Sequence, residues 1–108
     1  MRSKSSITIR GRNDHPGMPV HPGSVLRREL AARGLSANAL ARAIRVDSAR
    51  VVMILNGKRG ITGETALRLG RFLGTGPQLW MTLQAKYDLA RAFRDKGPRI
   101  AEEVHEMA

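Results

Sequence analysis

A short stretch in the middle of the chain, RVDSARVVMILNGKRGIT (residues 45–62), carries side chains that suit contact with the edges of DNA bases. A serine can hydrogen-bond to several bases, an arginine pairs with guanine, and small or apolar side chains contact the methyl group of thymine. Residues of these types cluster at the start of an apolar run and predict base contacts. The candidates are Asp47, Ser48, Ala49, Arg50, Val52 and Met53.

Hydroxyl, amide and cationic side chains within this stretch and shortly before it form a second group of candidates. Groups of these kinds contact DNA phosphates, which orients a protein on the duplex without reading its sequence. Each of them alone would suit an ordinary solvated surface about equally well, so the prediction depends on their clustering. The candidate phosphate contacts are Ser36, Asn38, Arg42, Arg45, Asn56, Lys58, Arg59 and Thr62.

The basic charge of the chain is concentrated around the same residues. The 108-residue chain has a net charge of +10, and residues 21–60 contribute eight Lys or Arg against two acids. Residues 1–20 contribute four against one, and residues 61–108 contribute seven against six. Positive charge clustered in this way is typical of a protein that binds a polyanion. A generally Arg-rich proteome is the alternative explanation of the charge alone.

Five helices joined by short loops are predicted to position these side chains. Proline suits a first helical position, Ser, Asp and Thr are good N-caps, and Gly commonly ends a helix. No strand pattern occurs within residues 21–96, so the predicted fold class is all-α. The predicted helices run from Pro22 to Gly34, Ser36 to Ile44, Asp47 to Leu55, Thr62 to Gly74 and Pro77 to about Arg94.

These helices define one domain with a segment on either side. Residues 21–96 are predicted to form the helical domain, and its last helix is predicted to mediate dimerisation. Residues 1–20 contain Gly, Pro and scattered charges and predict a flexible basic arm, in which only residues 6–10 alternate like a short strand. Residues 97–108 begin with Gly97-Pro98, a pair that breaks helices, and predict an acidic tail.

The second and third helices have the spacing of a helix-turn-helix unit. Two short helices joined by a turn of three or four residues are typical of that unit, and Ala41 supplies the small residue expected where the helices cross. Residue 45 in the turn is expected to need a positive φ, for which Gly is the usual residue, whereas this chain has Arg45. A non-Gly residue in that conformation costs about 1 kcal/mol, and an arginine there offers a phosphate contact in return.

The five consecutive apolar residues 51–55 are more than one face of a short helix can bury. With 3.6 residues per turn, Val51, Ile54 and Leu55 turn towards the core, and Val52 and Met53 turn outwards. The second helix of a helix-turn-helix unit lies in the major groove of DNA with its N-terminal residues at the base edges. We therefore expect Val52 and Met53 to face DNA; the alternative is burial against the fifth helix or a partner.

The fifth helix has apolar residues on more than one face. One set follows a helical stripe and another lies off it, which predicts the core on one side and a symmetric partner on the other. A central helix that is covered on both sides within the monomer is the alternative. The candidate dimer-interface residues are Leu79, Trp80, Leu83, Tyr87, Leu89 and Phe93.

The composition disfavours several other classes of protein. The chain has no cysteine, which excludes disulfide scaffolds and thiolate metal sites. Its three histidines lack a metal-ligand spacing, and no glycine-rich phosphate loop or catalytic constellation stands out. No apolar run approaches the ~20 residues that span a bilayer, and the N-terminus lacks the apolar segment of a signal peptide. We therefore expect a cytoplasmic protein that is not an enzyme and needs no metal or cofactor.

Three segments together resemble the HigA-type antitoxins, which are small lambda-repressor-like helix-turn-helix proteins of the XRE class. They are HPGSVLRREL (21–30), GLSANALARAIRV (34–46) and ILNGKRGITGETALRLGRFLGTGPQLWMTLQAKYDL (54–89). The resemblance implies a non-catalytic homodimer that binds operator DNA in its own promoter and represses its own operon. It also implies a RelE-like (HigB-type) ribonuclease toxin that the protein neutralises, and a place in the bacterial cytoplasm on the nucleoid.

The chain departs from the pattern of that family at three positions. Ser24 replaces the Glu that is usual after HPG, Arg45 replaces the Gly of the turn, and Ala39 replaces an acid that often follows the cap of the second helix. Two other functions stay open beside the antitoxin. One is a solitary transcription regulator without a toxin, and the other is a basic module that interacts with RNA or an acidic protein.

Overall fold

Five α-helices and no strand make up the described part of the chain, residues 19–107 of a computed structural model. The prediction of an all-α fold with five helices is confirmed. The predicted basic arm lies outside the described residues, apart from its last two positions. The helices are α1 (Pro22–Arg33), α2 (Ala37–Ile44), α3 (Ser48–Leu55), α4 (Gly63–Leu73) and α5 (Pro77–Glu103).

Side-chain caps fix the start of α1, α2 and α4. Nδ1 of His21 accepts a 2.9 Å hydrogen bond from the backbone N–H of Gly23. Ser36 Oγ and Thr62 Oγ1 each accept from the backbone N–H three residues later, at 3.0 and 3.3 Å. These bonds satisfy N–H groups that have no partner inside the helix. The predicted caps at Ser36 and Thr62 are confirmed.

The cap at the start of α3 is only partly formed. Asp47 occupies the N-cap position with an extended backbone but makes no side-chain cap hydrogen bond. Its side chain is exposed, and the N–H of Arg50 in the first turn donates to the backbone carbonyl of Asp47 at 3.0 Å. The carboxylate therefore acts on the start of α3 through the helix dipole. The predicted N-cap position of Asp47 is confirmed, although the side-chain hydrogen bond of a full cap is not formed.

The core lies in the unit Val20–Ala85 and is almost entirely aliphatic. Its one aromatic member is Trp80, in the first turns of α5, which is fully buried. The indole Nε1–H of Trp80 donates to Thr75 Oγ1 at 2.9 Å, so its burial leaves no unpaired donor. The buried hydrophobic residues are Leu26, Leu30, Leu40, Ala41, Ile44, Val51, Ile54, Ile61, Ala66, Leu69, Leu73 and Trp80.

The last helix is longer than the sequence predicted. α5 continues through Pro98 to Glu103, so the predicted end near Arg94 is wrong and the first part of the expected acidic tail is helical. A proline inside a helix removes one backbone hydrogen bond. Its ring also clashes with the residue before it, in part with the Cβ atom of that preceding residue. Here that residue is Gly97, which has no Cβ. An ion pair between Arg99 and Glu103 at 3.5 Å supports the turn that follows.

The residues from Lys86 onward belong to a second unit. None of its described residues is buried, and the large apolar side chains of Leu89, Phe93, Ile100 and Val104 are all exposed. In the part of the chain that the structure describes, no helix combines the length and the apolarity needed to span a membrane. Exposed apolar side chains that follow one another along a helix and just past its end commonly mark a surface for a partner protein.

Candidate nucleic-acid interface

The turn between α2 and α3 is closed by a residue in the left-handed conformation. Arg45 has φ 64° and ψ 46°, and among the described residues it is the one non-glycine with a positive φ. Its N–H donates to the carbonyl of Arg42 at 3.3 Å, and the N–H of Val46 donates to that of Ala41 at 3.0 Å. This pattern pairs the last carbonyls of α2 and ends the helix. The positive φ expected at position 45 is confirmed.

The apolar run in α3 is divided between the core and the surface. Val51 and Ile54 are 1% exposed and form part of the core, against which Leu55 packs while half-buried. Val52 and Met53 are each 42% exposed. The predicted division of this run is confirmed. With the exposed Ser48 and Ala49, Val52 and Met53 form what we call the outward face of α3.

Two residues of α1 hold α3 in place, and the sequence pattern identified neither of them. A Cβ atom at Gly23 would overlap the carbonyl oxygen of Ile54, so only glycine allows the start of α1 to approach the backbone of α3 this closely. Nη2 of Arg27 donates to the carbonyl of Leu55 and to Oδ1 of Asn56, both at 3.1 Å. An arginine on the last carbonyls of a helix is favourable for its dipole. In the sequence, the HPG segment (21–23) is the pattern that could have drawn attention to Gly23.

Arg50 lies on the flank of α3, on the side of α4. Its Nη1 is 3.9 Å from Oε1 of Glu64, and its side chain is 26% exposed. Oε2 of Glu64 pairs with Nη2 of Arg68 at 3.0 Å. Arg68 in turn donates from Nη1 to the carbonyl of Ile44, the last residue of α2, at 2.9 Å. These contacts link α2, α3 and α4 through charged groups. Helix periodicity is enough to suggest the i,i+4 pair of Glu64 and Arg68, but not the contacts of Glu64 with Arg50 or of Arg68 with Ile44, which join different helices.

All eight candidate phosphate contacts are exposed, and some already make intramolecular hydrogen bonds. Ser36 Oγ accepts a bond as a cap and retains its proton for donation to another acceptor. Because the amide oxygen of Asn56 accepts from Arg27, the group that Asn56 turns to a further acceptor is its NH2. Thr62 donates to Oγ1 of Thr65 at 3.2 Å, so a phosphate would have to displace that bond.

The candidate dimer residues separate into buried and exposed members. Trp80 is fully buried in the core of its own chain, so its side chain is withdrawn from the predicted interface. Leu83 also packs against that core, and the half-buried Tyr87 has the guanidinium of Arg91 5.6 Å from its ring centroid. The remaining members, Leu79, Leu89 and Phe93, are 40%, 72% and 57% exposed.

The titratable side chains of the described chain do not form a metal site. Within residues 19–107, no group of three or more His, Cys, Asp or Glu side chains could hold a metal ion. The groups that the interface presents are hydrogen-bond donors, cations and small apolar surfaces, which are the groups that nucleic-acid recognition uses.

A comparison with protein families matches residues 26–80 to the helix-turn-helix family. Virulence-associated protein I of Dichelobacter nodosus is 47% identical over 87 residues, which cover 80% of this chain and 79% of that protein. The chain also resembles two solved structures at a TM-score of 0.81 each. An addiction module antidote protein of the HigA family from Coxiella burnetii is 43% identical and covers 84% of this chain and 100% of its own.

The second solved structure is the antitoxin HigA of Pseudomonas aeruginosa with higBA promoter DNA. It is 42% identical and covers 83% of this chain and 99% of its own. The matched helix-turn-helix region contains the whole of α2, α3 and α4 and ends at the buried Trp80. The chain therefore belongs to the XRE-type helix-turn-helix family, and its structural neighbours are HigA-family antitoxins.

Proposed function

We propose that this protein is an antitoxin that binds operator DNA in its own promoter through the outward face of α3. The observation that carries the proposal is the exposure of Val52 and Met53, 42% each, on a helix whose opposite face is in the core. Exposing two adjacent large apolar side chains is unfavourable in water unless a partner covers them. The methyl groups of thymines in the major groove are such a partner.

The charge around α3 supports a DNA partner rather than an apolar one. Arg42, Arg45, Lys58 and Arg59 are all exposed, so cations lie in the segments on both sides of the helix. Contacts from such cations to phosphates would supply most of the affinity and would make it depend on salt. The similar antitoxin from Pseudomonas aeruginosa, whose structure includes promoter DNA, also supports a DNA partner.

We propose that the protein binds DNA as a homodimer through α5. Leu79, Leu89 and Phe93 are exposed, and Ile100 and Val104 continue the apolar series beyond the end that the sequence predicted. A two-fold dimer places two recognition helices on half-sites about 34 Å apart. We propose that a dimer bound to these half-sites in the promoter blocks transcription of the protein's own operon. Each large apolar side chain buried at the interface contributes about 1.5–3 kcal/mol.

The proposed partner protein is a RelE-like (HigB-type) ribonuclease toxin, which the antitoxin neutralises by binding. The support is the resemblance to HigA-type antitoxins, including the addiction module antidote of Coxiella burnetii. We expect a toxin gene to lie beside the gene for this protein. Expression of that toxin should arrest growth, and expression of this protein with it should restore growth. Binding to the promoter without any adjacent toxin gene would leave a solitary transcription regulator. We expect both promoter binding and toxin neutralisation to take place in the bacterial cytoplasm, with the DNA-bound form on the nucleoid.

The direct test is competition between a fragment of the protein's own promoter and random DNA of equal length across a salt series. We expect the promoter to bind more tightly at every salt concentration. Arg50→Ala and Met53→Ala should weaken promoter binding more than random binding, by about 1–3 kcal/mol for a base-contacting arginine. If the promoter competes no better than random DNA, sequence-specific binding is wrong and the basic module for RNA or acidic proteins becomes the better account.

A further inference from the structure

The carboxylate of Glu64 stands between two arginines and turns a different oxygen to each. Oε2 is 3.0 Å from Nη2 and 3.1 Å from Nε of Arg68. Oε1 is 3.9 Å from Nη1 of Arg50 on α3. One oxygen is thus engaged within α4, and the other is directed at the helix that we propose to read DNA.

Arg68 holds this carboxylate in position independently of Arg50. Its guanidinium reaches Glu64 through two nitrogens and the carbonyl of Ile44 through a third, at 2.9 Å. A planar guanidinium with several contacts is restricted in orientation. Ile44 is buried at the end of α2, so Arg68 anchors the acid to the framework of the helix-turn-helix unit.

The geometry points to Glu64 as a positioning residue that holds Arg50 for sequence-specific contact with the operator. This inference deepens the proposed function and rests on it. Arg50 is on the flank of α3, next to the outward face, and a long flexible side chain there would otherwise sample many rotamers. An acid that restricts it lowers the entropy lost when the guanidinium meets a guanine edge. Glu64 itself need not touch the DNA.

Under this inference, Glu64 has two distinct electrostatic effects on DNA binding. As a negative charge near a polyanion, it weakens binding to any DNA. As a partner of Arg50, it favours only those sequences that Arg50 reads. The ratio of promoter to random affinity therefore isolates the positioning role, because the general charge effect cancels in the ratio.

The experiment is a double-mutant cycle on this ratio with Glu64→Gln, Arg50→Ala and the double variant. Glutamine keeps an acceptor for Arg68 and removes the charge that attracts Arg50. We expect Glu64→Gln to lower the ratio roughly two- to fivefold, within the range of coupling measured for ion pairs with an exposed partner. In the Arg50→Ala background, the same change should leave the ratio unaltered.

A matched control is Glu29→Gln, which removes an equally charged partner from the i,i+4 pair with Arg33 on α1 (3.1 Å). It should leave the ratio unchanged, and circular dichroism should show equal helix content in all variants. A fall in the ratio that is equal with and without Arg50, or no fall at all, would overturn the inference. If the wild-type protein bound the promoter no more tightly than random DNA, the proposed function itself would be wrong.

Discussion

The helix-turn-helix unit and the second half of α5 are both helical, but they are stabilised differently. α2 and α3 are short, eight residues each, and buried residues, α1 and a left-handed turn fix them in place. The segment from Lys86 to Glu103 lies in one long helix, and none of its residues is buried. Short helices need tertiary packing to persist in water. The comparison indicates that packing within the monomer specifies the first region, whereas the second leaves its apolar side chains exposed, as the proposed dimer interface requires.

The largest effect that tests this contrast is the loss of Trp80. Trp80→Ala removes a fully buried indole and should lower the free energy of unfolding by about 3–5 kcal/mol. The equivalent change outside the core, Phe93→Ala, should cost the monomer roughly 0.5 kcal/mol or less. Urea denaturation at a protein concentration low enough to keep the wild type and both variants monomeric measures both changes, because association would otherwise add to the apparent stability.

Sedimentation of Phe93→Ala, which measures its association state, sharpens the comparison. Phe93→Ala should be folded and should shift the monomer–dimer equilibrium towards monomer, because an exposed aromatic side chain would be lost from the interface. A Phe93→Ala dimer as tight as the wild type would contradict the proposed interface. Equal stability losses in the two variants would contradict the division into a specified core and a partner surface.

The next effect concerns the close approach of α1 to α3. Gly23→Ala would place a methyl group on the carbonyl oxygen of Ile54, and forced overlap of this kind costs about 1–3 kcal/mol. The displaced α3 should also lose affinity for promoter DNA. Gly63→Ala is the matched control, because a Cβ there meets no atom within 4 Å; thermal denaturation should show it to be neutral or slightly stabilising. A stable, DNA-binding Gly23→Ala variant would show that α3 is not held by this contact.

The smallest effect lies in the turn. Arg45 adopts φ 64°, so Arg45→Gly should stabilise the fold by up to about 1 kcal/mol, while removal of the charge should weaken binding to promoter and random DNA alike. Arg45→Ala removes the same charge without relieving the strain, and it should lose affinity with no gain in melting temperature. A gain in stability for alanine equal to that for glycine would rule out backbone strain at this position.

Sequence reasoning succeeded where local patterns decide the structure. The caps at Ser36 and Thr62, the positive φ at position 45 and the division of the apolar run in α3 all follow from a few neighbouring residues. In α3, the 3.6-residue period placed Val51 and Ile54 inwards because both faces of a short helix are visible within two turns.

It failed where distant residues decide. Trp80 was assigned to an interface because periodicity shows that a residue is apolar but not which of two apolar faces packs on its own chain. One failure was local: Pro98 normally ends a helix, but the adjacent Gly97 reduces its effect, so the end of α5 was misplaced. The contacts of Arg27 with the end of α3 join residues 28 or 29 positions apart, which no local pattern reveals.

The most direct test of the central claim is to remove thymine methyl groups from the promoter fragment, one thymine at a time, by substitution with deoxyuridine. Loss of a methyl that Val52 or Met53 contacts should weaken wild-type binding roughly three- to fivefold, as expected for one buried methyl group. For Met53→Ala, the loss at the thymines that Met53 contacts should largely disappear, while substitutions elsewhere should have no effect on either protein. If no thymine shows a loss that depends on Val52 or Met53, the outward face of α3 does not read the operator in this way.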